Sequence, residues 1–471
     1  MSYEEAFEAA KNGDFHTAIP LLHRAAKETG FASDIVNNAY TLALYNAGDK
    51  TRLAEVSFQI ALSLVQTDPA SAMDYFQRAL VAGLDNDCVR QIGEHFEGWA
   101  VPVRDTHLDL PIRRVAHIVS NLIAGQAPTE YLRMLVSSLK LQGIESLVFT
   151  TESGASWFYN PSGVPLSQSI DLAGDVKLGD VDGDFVERAN RIAEAVRTSQ
   201  TQAAFFHGDL SDQIMARVAS VRSSPLQINV NYGTEMDVDV FDGRIHLSQN
   251  AFERTRFRAG PAEWVPISSD IESRSQKCEP LTRQAMGLES ATTISATFGK
   301  LERSSDRNYV RVLSEIMKRF PKHFHLFAGP GNVRAMRSQL HSEGVLPRVR
   351  FLGDVKDVAP LLNVVDIYLA AFPDSSAQTV LEAMGAAKPV VALRFPPNSP
   401  HNSGAEVVGG RELTAASEAN YIEIADRLLR NADLRAEQGR VMHDRFQAEF
   451  RPERLGERCR QFLARFQPAT S

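Results

Sequence analysis

Residues 372–392 read FPDSSAQTVLEAMGAAKPVVA and follow directly on the apolar run DIYLAAF (366–372). An apolar run closed by Pro-Asp-Ser-Ser reads as a strand ending in a turn. Ser375 and Ser376 are good N-caps for a helix running to about Ala386, and KPVVA opens the next strand. The unit is strand, helix, strand, the building block of a parallel sheet. The first turn of such a helix leaves N–H groups pointing outward, and with the positive end of the helix dipole they favour phosphate oxygens. Glu382 lies two turns beyond Ser375 on the same face, so its carboxylate reaches the hydroxyls of a ribose whose diphosphate sits at the helix start. Gly385 lets the helix end close to the next strand. In isolation, the same residues also suit a capped surface helix with a solvated Glu382.

Working outward, the alternation continues on both sides. Towards the amino end come strand TTISATFG (292–299), a helix carrying Tyr309, Val312, Leu313, Ile316 and Met317 at helical spacing, strand HFHLFAG (323–329), a helix near Val333 to Leu340, strand VRFLG (349–353) and helix DVAPLLNVV (357–365). A second set lies further upstream: RVAHIVS (114–120), a helix with Tyr131, Leu132, Leu135, Val136 and Leu139 on one face, SLVFT (146–150), a helix near Val186 to Val196, QAAFFH (202–207), SDQIMARVASV (211–221) and LQINVN (226–231). Each set implies a parallel sheet covered on both faces. The expected architecture is therefore α/β, with Rossmann-like domains over 112–265 and 289–450. Between them, 266–288 is polar, proline-bearing and without period, as a linker would be. A final helix over 452–466, with Leu455, Cys459, Phe462, Leu463 and Phe466 in a stripe, is expected to pack back onto the body.

Residues 1–100 read as helix after helix. In GDFHTAIPLLHRA, Gly13, Phe15, Ala18, Leu22 and Ala25 fall where a tetratricopeptide repeat places its turn glycine, aromatic and small residues, and Ala72, Phe76 and Ala79 repeat the second half of that pattern. A middle unit around Tyr40 to Gly48 is degenerate, and the same small-residue spacing occurs in plain helical hairpins. VPVRDTHLDLP (101–111) is a proline-flanked extended linker.

At 471 residues the chain has room for roughly two to four domains. Its formal net charge of −8 excludes broad binding to nucleic acid or anionic membranes. Cys88, Cys278 and Cys459 lie far apart without metal-ligand spacing, which suits neither zinc nor a disulfide framework and fits a reducing cytoplasm. The acidic, amphipathic start MSYEEAFEAAKNGDF is unlike a secretory signal, and no apolar run approaches the ~20 residues that span a bilayer.

The order TFGKLER (297–303), HLFAGPG (325–331), FLGDV (351–355) and 366–391 resembles the C-terminal donor domain of GT-B glycosyltransferases, whose last segment binds a nucleotide sugar. In the large retaining family of that fold the segment reads as an acid, seven residues, then Glu-Ala-Met; Asp374 and Glu382 stand at those positions, with Asp in place of the usual Glu at the first. Ser375, Ser376, Ala377 and Gln378 between them are closer to the polar, threonine-bearing loop of the tetratricopeptide-bearing protein O- and N-glycosyltransferases, which implies Thr379 as a hydroxyl for phosphate. Such enzymes place a Lys or Arg after the domain's first strand to meet the charge that builds on the leaving diphosphate, giving Lys300 and Arg303; a second basic position falls on Ser304 or Ser305.

In the first domain, AFFHGDLSD (204–212) resembles the strand-end histidine loop of GT-B acceptor domains, which implies His207 as the group touching sugar or acceptor, with Asp209 behind it. A histidine at a strand end is equally compatible with a structural role. Arg222, Pro225 and Gln227 are in register with an Arg-Pro-Ala-Pro-Ile-Gln segment of the protein-modifying family, whereas its His-Pro-Thr is replaced by Gln126-Ala127-Pro128-Thr129. Gly125 before that helix allows close approach of phosphate or sugar. The Asp-x-Asp runs DVDGD (180–184) and DVDV (237–240) suit the other main glycosyltransferase fold, which has one sheet; with two sheets here, metal is expected to be unnecessary. The resemblance implies hexose or N-acetylhexosamine transfer from a nucleotide-diphosphate sugar, UDP-sugar first, without a cofactor. The acceptor it implies is a protein bound by the helical repeats. The alternatives are a polysaccharide or lipid-linked glycan acceptor, or a pseudoenzyme scaffold.

Overall fold

The computed structural model describes residues 3–83, 88, 91–92, 94–95, 111–152, 167–179, 181–208, 212–232, 240–249, 252–253, 260–289, 291, 293–395, 403–410 and 412–467. The chain opens with five helices, α1 (Tyr3–Lys11), α2 (Phe15–Glu28), α3 (Asp34–Asn46), α4 (Lys50–Leu64) and α5 (Pro69–Ala82), each packed on the next. The turns repeat one device. Gly13 at φ +78° precedes Asp14, which caps α2 by accepting from the Thr17 N–H, and Gly48 at φ +75° precedes Asp49, which caps α4 through the Arg52 N–H. Ala18, Leu22, Ala72, Phe76 and Ala79 are buried; at the end of α2 it is Ala26 that is buried, with Ala25 only half-buried. The extended linker expected over 101–111 lies outside the described residues, except Pro111.

A first sheet follows: β1 (Arg114–Val119), α6 (Ala127–Leu141), β2 (Glu145–Thr150), β3 (Asp175–Lys177), α7 (Phe185–Thr198), β4 (Ala203–His207), α8 (Gln213–Ser220), β5 (Leu226–Asn231), β6 (Gly243–His246) and β7 (Ala262–Trp264). Its order is β3-β2-β1-β4-β5-β6-β7, and every pairing is parallel. All residues of β4 and β5 are buried, as expected of strands covered on both faces. One face shares a continuous apolar cluster with α1–α5, α7 and α8, so the helical region is built onto this domain.

The stretch expected to be a periodless linker contains a two-turn helix, α9 (Ile271–Lys277). Beyond it come β8 (Thr293–Phe298), α10 (Leu301–Ser304), α11 (Arg307–Arg319), β9 (His323–Ala328), α12 (Arg334–Ser342), β10 (Val349–Phe351), α13 (Ala359–Leu362), β11 (Ile367–Leu369), α14 (Ala377–Gly385), β12 (Val390–Leu393), α15 (Ser403–Val408), β13 (Thr414–Ala415), α16 (Glu418–Arg430), α17 (Ala432–Glu449) and α18 (Pro452–Ala464). The second sheet, again parallel, has the order β10-β9-β8-β11-β12-β13. The last helix crosses back to the first domain: Leu455, Cys459, Phe462, Leu463 and Phe466 join its core beneath β1, β4 and β5, and Gly456 brings the α18 backbone against Ser138 of α6. The chain therefore passes between the domains twice, and the crossings touch where the Ser269 N–H donates to the Phe450 carbonyl at 3.2 Å. Among the described residues no helix is long and apolar enough to cross a membrane.

Buried histidines cluster on the strands. Ser295 Oγ bridges His323 Nε2 (2.8 Å) and His325 Nδ1 (2.7 Å), and Thr293 Oγ1 lies 2.8 Å from His323 Nδ1. Burial holds His325 well below the usual imidazole range and brings His323 and His117 down to about 3. Below the ordinary pKa near 6.5 the unfolded chain takes up protons that the folded chain refuses. Stability should therefore be full above about pH 6.5 and fall as pH drops towards 3, by about 1.4 kcal/mol per pH unit for each such histidine. Urea unfolding at pH 7.5, 6.5 and 5.5 checks this, and His325→Asn should give a shallower dependence.

Candidate functional site

In a parallel sheet the strand order reverses at one point, where the loops leaving neighbouring strands part and a crevice opens at the carboxyl ends. In the first sheet this point lies between β1 and β4. A pocket of ≈ 270 Å³ opens there, lined among others by Ser120, Asn121, Pro128, Thr129, His207 and Tyr232. His207, the last residue of β4, is 6% exposed. Both its ring nitrogens are engaged, Nε2 with His117 Nδ1 at 2.9 Å and Nδ1 with the Tyr232 hydroxyl at 3.1 Å, while His117 Nε2 reaches Ser146 Oγ at 3.2 Å. Burial, reinforced by the neighbouring His117, holds His207 well below its usual pKa, so the pair is neutral.

Two neutral imidazoles in contact share one proton between the facing nitrogens, so their tautomers are coupled. If Tyr232 donates to His207, then His207 donates to His117 and His117 to Ser146; the opposite direction is equally self-consistent. Both His207 nitrogens are thus engaged by protein groups, and Tyr232, 37% exposed as a residue, lines the pocket beside it. The sequence reading passed over Tyr232, which stands one residue beyond β5 and 25 from His207. Asp209 lies outside the described residues. Nearby Asp212 caps α8 through the Met215 N–H and accepts from Ser120 Oγ (2.7 Å) and Thr151 Oγ1 (2.6 Å), which fixes the pocket floor.

Gly125 occupies the left-handed region at φ +76° before α6, with open space where a side chain would stand. Arg222 and Gln227 do not join the site. Arg222 binds Asp242 and the Pro225 and Val240 carbonyls, and Gln227 binds the Ser223 N–H and the Ala219 and Val240 carbonyls. They clamp the entry to β5, at the amino edge of the sheet away from the crevice.

The second sheet reverses between β8 and β11, and the segment that follows β11 supplies α14. Ser376 is the N-cap in extended conformation without a side-chain cap bond, and the first bond within the helix runs from the Val380 N–H to the Ser376 carbonyl. Among the described residues, the N–H groups of Ala377, Gln378 and Thr379 have no acceptor in the protein. Gly299, at φ +113° after β8, faces this turn: a Cβ there would lie 3.9 Å from Thr379 Cγ2 and 4.0 Å from Ser376 Cβ. Ser375 packs at Gly404 of α15, and Asp374 stands exposed in the loop before.

Thr379 is buried. Its hydroxyl accepts from Tyr368 at 2.8 Å and donates to the Ser376 carbonyl at 3.1 Å, so it pins the turn from inside. Lys300, the N-cap of α10, and Arg303 within it are exposed after β8, and the charge of Arg303 is felt at the Tyr368 hydroxyl. Ser304 and Ser305 turn their hydroxyls back to the Leu301 and Glu302 carbonyls.

Glu382 is 7% exposed and paired with Arg274 of the linker helix. Burial pushes its carboxyl up while Arg274 pulls it down, and the net direction is up. Gly385 serves a different neighbour from the one expected: a Cβ there would stand 2.3 Å from Ile271 Cγ2, so the bare position admits α9 rather than the next strand. The two domains meet beside the helix start, where Ser248, beyond β6, donates to Glu406 of α15 at 3.0 Å.

Residues 296–431 match the family model described as glycosyl transferases group 1. No curated protein matches this chain. Among solved structures, a mutant of the O-GlcNAc transferase of Thermobaculum terrenum aligns with a TM-score of 0.59 at 15% identity, covering 98% of this chain and 89% of that one. HepE of Anabaena, solved with UDP and glucose, aligns with a TM-score of 0.56 at 15% identity over 74% of this chain and 99% of its own. WaaG, a glycosyltransferase involved in lipopolysaccharide biosynthesis, gives 0.51 at 14% identity, covering 74% and 98%. Two Rossmann-like domains with the GT-B fold, behind a helical amino-terminal region, are therefore the architecture of this chain, and its second domain carries the match to the group 1 glycosyl transferases.

Proposed function

We propose that this protein is a glycosyltransferase that moves a hexose or N-acetylhexosamine from a nucleotide-diphosphate sugar, UDP-sugar first, to a protein acceptor. The observation that carries the reading is the start of α14: N–H groups without an acceptor among the described residues, at a strand-order reversal beside the bare backbone of Gly299, with Glu382 further along the same helix. The group 1 match over 296–431 and the UDP-bound HepE neighbour support the donor class. In this reading the pyrophosphate rests on the first turn, with Ser375 and Ser376 beside it and Asp374 towards the sugar. Thr379 braces that turn, Lys300 and Arg303 take up the charge that builds on the leaving diphosphate without a metal ion, and Glu382 accepts from the ribose hydroxyls. The pocket at His207 and Tyr232 faces the acceptor side, with Gly125 one residue before Gln126 of its lining; His207 acts as a positioning residue for the phenol.

The protein acceptor is supported by the helical region built onto the first domain and by the O-GlcNAc transferase neighbour, whose likeness spans 98% of this chain. The WaaG neighbour, aligned over 74% of this chain, favours a glycan or lipid-linked acceptor as the second reading. Labelled UDP-sugars incubated with cell extract decide between them: label in protein supports the first, label in glycan or lipid only supports the second.

Calorimetry with UDP, GDP and uridine tests the donor site. UDP should bind, and Glu382→Gln should weaken it about tenfold or more, because a carboxylate accepting two hydroxyls is replaced by a neutral amide. Lys300→Ala with Arg303→Ala should weaken UDP about ten- to a hundredfold and leave uridine nearly unchanged. Absence of any nucleotide binding would make the chain a scaffold rather than an enzyme. His207→Asn should leave UDP affinity intact and lower turnover.

A further inference from the structure

Every nitrogen of the Arg274 guanidinium ends on a carboxylate. Nε donates to Asp270 at 2.8 Å, Nη1 to Asp357 at 2.5 Å and Nη2 to Glu382. The placement is set by packing. Helices α9 and α14 lie side by side in opposite directions: Ile271 occupies the space that a side chain at Gly385 would take, and one turn later on α9, one turn earlier on α14, Arg274 meets Glu382. On its other side Asp270 accepts from Arg133 Nη2 at 2.8 Å, and Arg133 Nε binds Glu130 at 2.9 Å; both belong to α6, whose start borders the first pocket. An ordered row of charges thus runs from the first domain through the linker to the acid of the second.

Glu382 is almost fully buried. An ion so placed is unfavourable without a cation against it, and a protonated carboxyl has lost part of its capacity to accept from two hydroxyls. The charged and titratable groups that face it are Arg274 from α9, Asp357 from the loop before α13 and Tyr368 from β11, and the Gln378 side chain, one turn earlier on α14, donates to it as well. Burial raises its pKa, Arg274 opposes that and Asp357 adds to it. On the flanking helices Glu406 of α15 binds Ser248, and His443 of α17 binds Glu272.

We propose that Arg274 is a positioning residue for the donor nucleotide, the counter-ion that keeps Glu382 charged and holds one carboxylate oxygen so that the other accepts from the ribose. The proposal rests on the nucleotide reading given above. It also assigns the linker helix a part in the donor site, through a residue that does not itself touch the nucleotide.

The test is UDP affinity of the full chain by calorimetry between pH 5.5 and 8.5, expressed as the ratio of variant to wild-type Kd, which cancels the titration of UDP itself. Arg274→Met should give a ratio of about ten or more at pH 6 that shrinks as pH rises, because Glu382 regains its charge. Arg274→Lys should give a smaller ratio that is flat with pH. Asp357→Asn removes a like charge and should shift the ratio below one at the acidic end, the opposite sense to Arg274→Met; this variant keeps the proposal testable if Arg274→Met fails to fold. A ratio for Arg274→Met that is near one, or raised equally at every pH, overturns the proposal, as does a flat profile for Asp357→Asn. Should Glu382→Gln leave UDP affinity unchanged, the nucleotide reading itself fails; a loss with Glu382→Gln and none with Arg274→Met removes only the role of Arg274.

Discussion

Parallel strands bring all their carboxyl ends to one edge, and where the order of strands reverses, the two loops that leave that edge must diverge. Both sheets of this protein obey that constraint, and the candidate site is what fills the two resulting gaps. In the first gap a strand-end histidine and a tyrosine one residue beyond the neighbouring strand close over a pocket. In the second, a glycine after one strand faces the bare first turn of the helix that follows the next. Neither arrangement needs a special loop. Each follows from sheet order together with the absence of a side chain, or of a cap, at one position.

The two gaps differ in electrostatic character. The first holds buried, neutral imidazoles whose protons can only be arranged in concert, so its polarity lies in hydrogen-bond direction rather than charge. The second concentrates formal charge: exposed Lys300 and Arg303 on one side and a buried acid braced by an arginine on the other. A substrate with a polyanionic end and a neutral end would be matched by that division, the phosphate end on the second domain and the uncharged end towards the first.

How much of this was legible in the sequence depended on whether the signal was local. The central strands were, because strands buried on both faces read as unbroken apolar runs, and α11 was, because Asp306 caps a helix whose apolar residues keep strict spacing. Edge strands β3 and β13, of three and two residues, are too short to carry any period. Helix α9 was read as irregular linker because only Ile271 of its seven residues is buried, and one core contact makes no pattern. Within the site, Glu382 stands out from its spacing to Ser375 along one helix, and Lys300 and Arg303 only from the resemblance of the stretch after β8. Arg274 does not stand out, since its partner lies 108 residues away, and the same holds for the His117 and Tyr232 contacts of His207. The role of Gly385 was misplaced for a related reason: the sequence indicates that backbone approaches, but not whose.

The return of α18 to the first domain has a mechanical meaning. A body joined to another by one tether can swing in any direction, whereas two attachments side by side define a line about which rotation is easiest. Here the attachments are hydrogen-bonded to each other at Ser269 and Phe450, next to the Arg133–Asp270 ion pair. Any rotation of one domain against the other would therefore turn about a line close to the Arg274 guanidinium, and would displace parts far from that line more than parts near it.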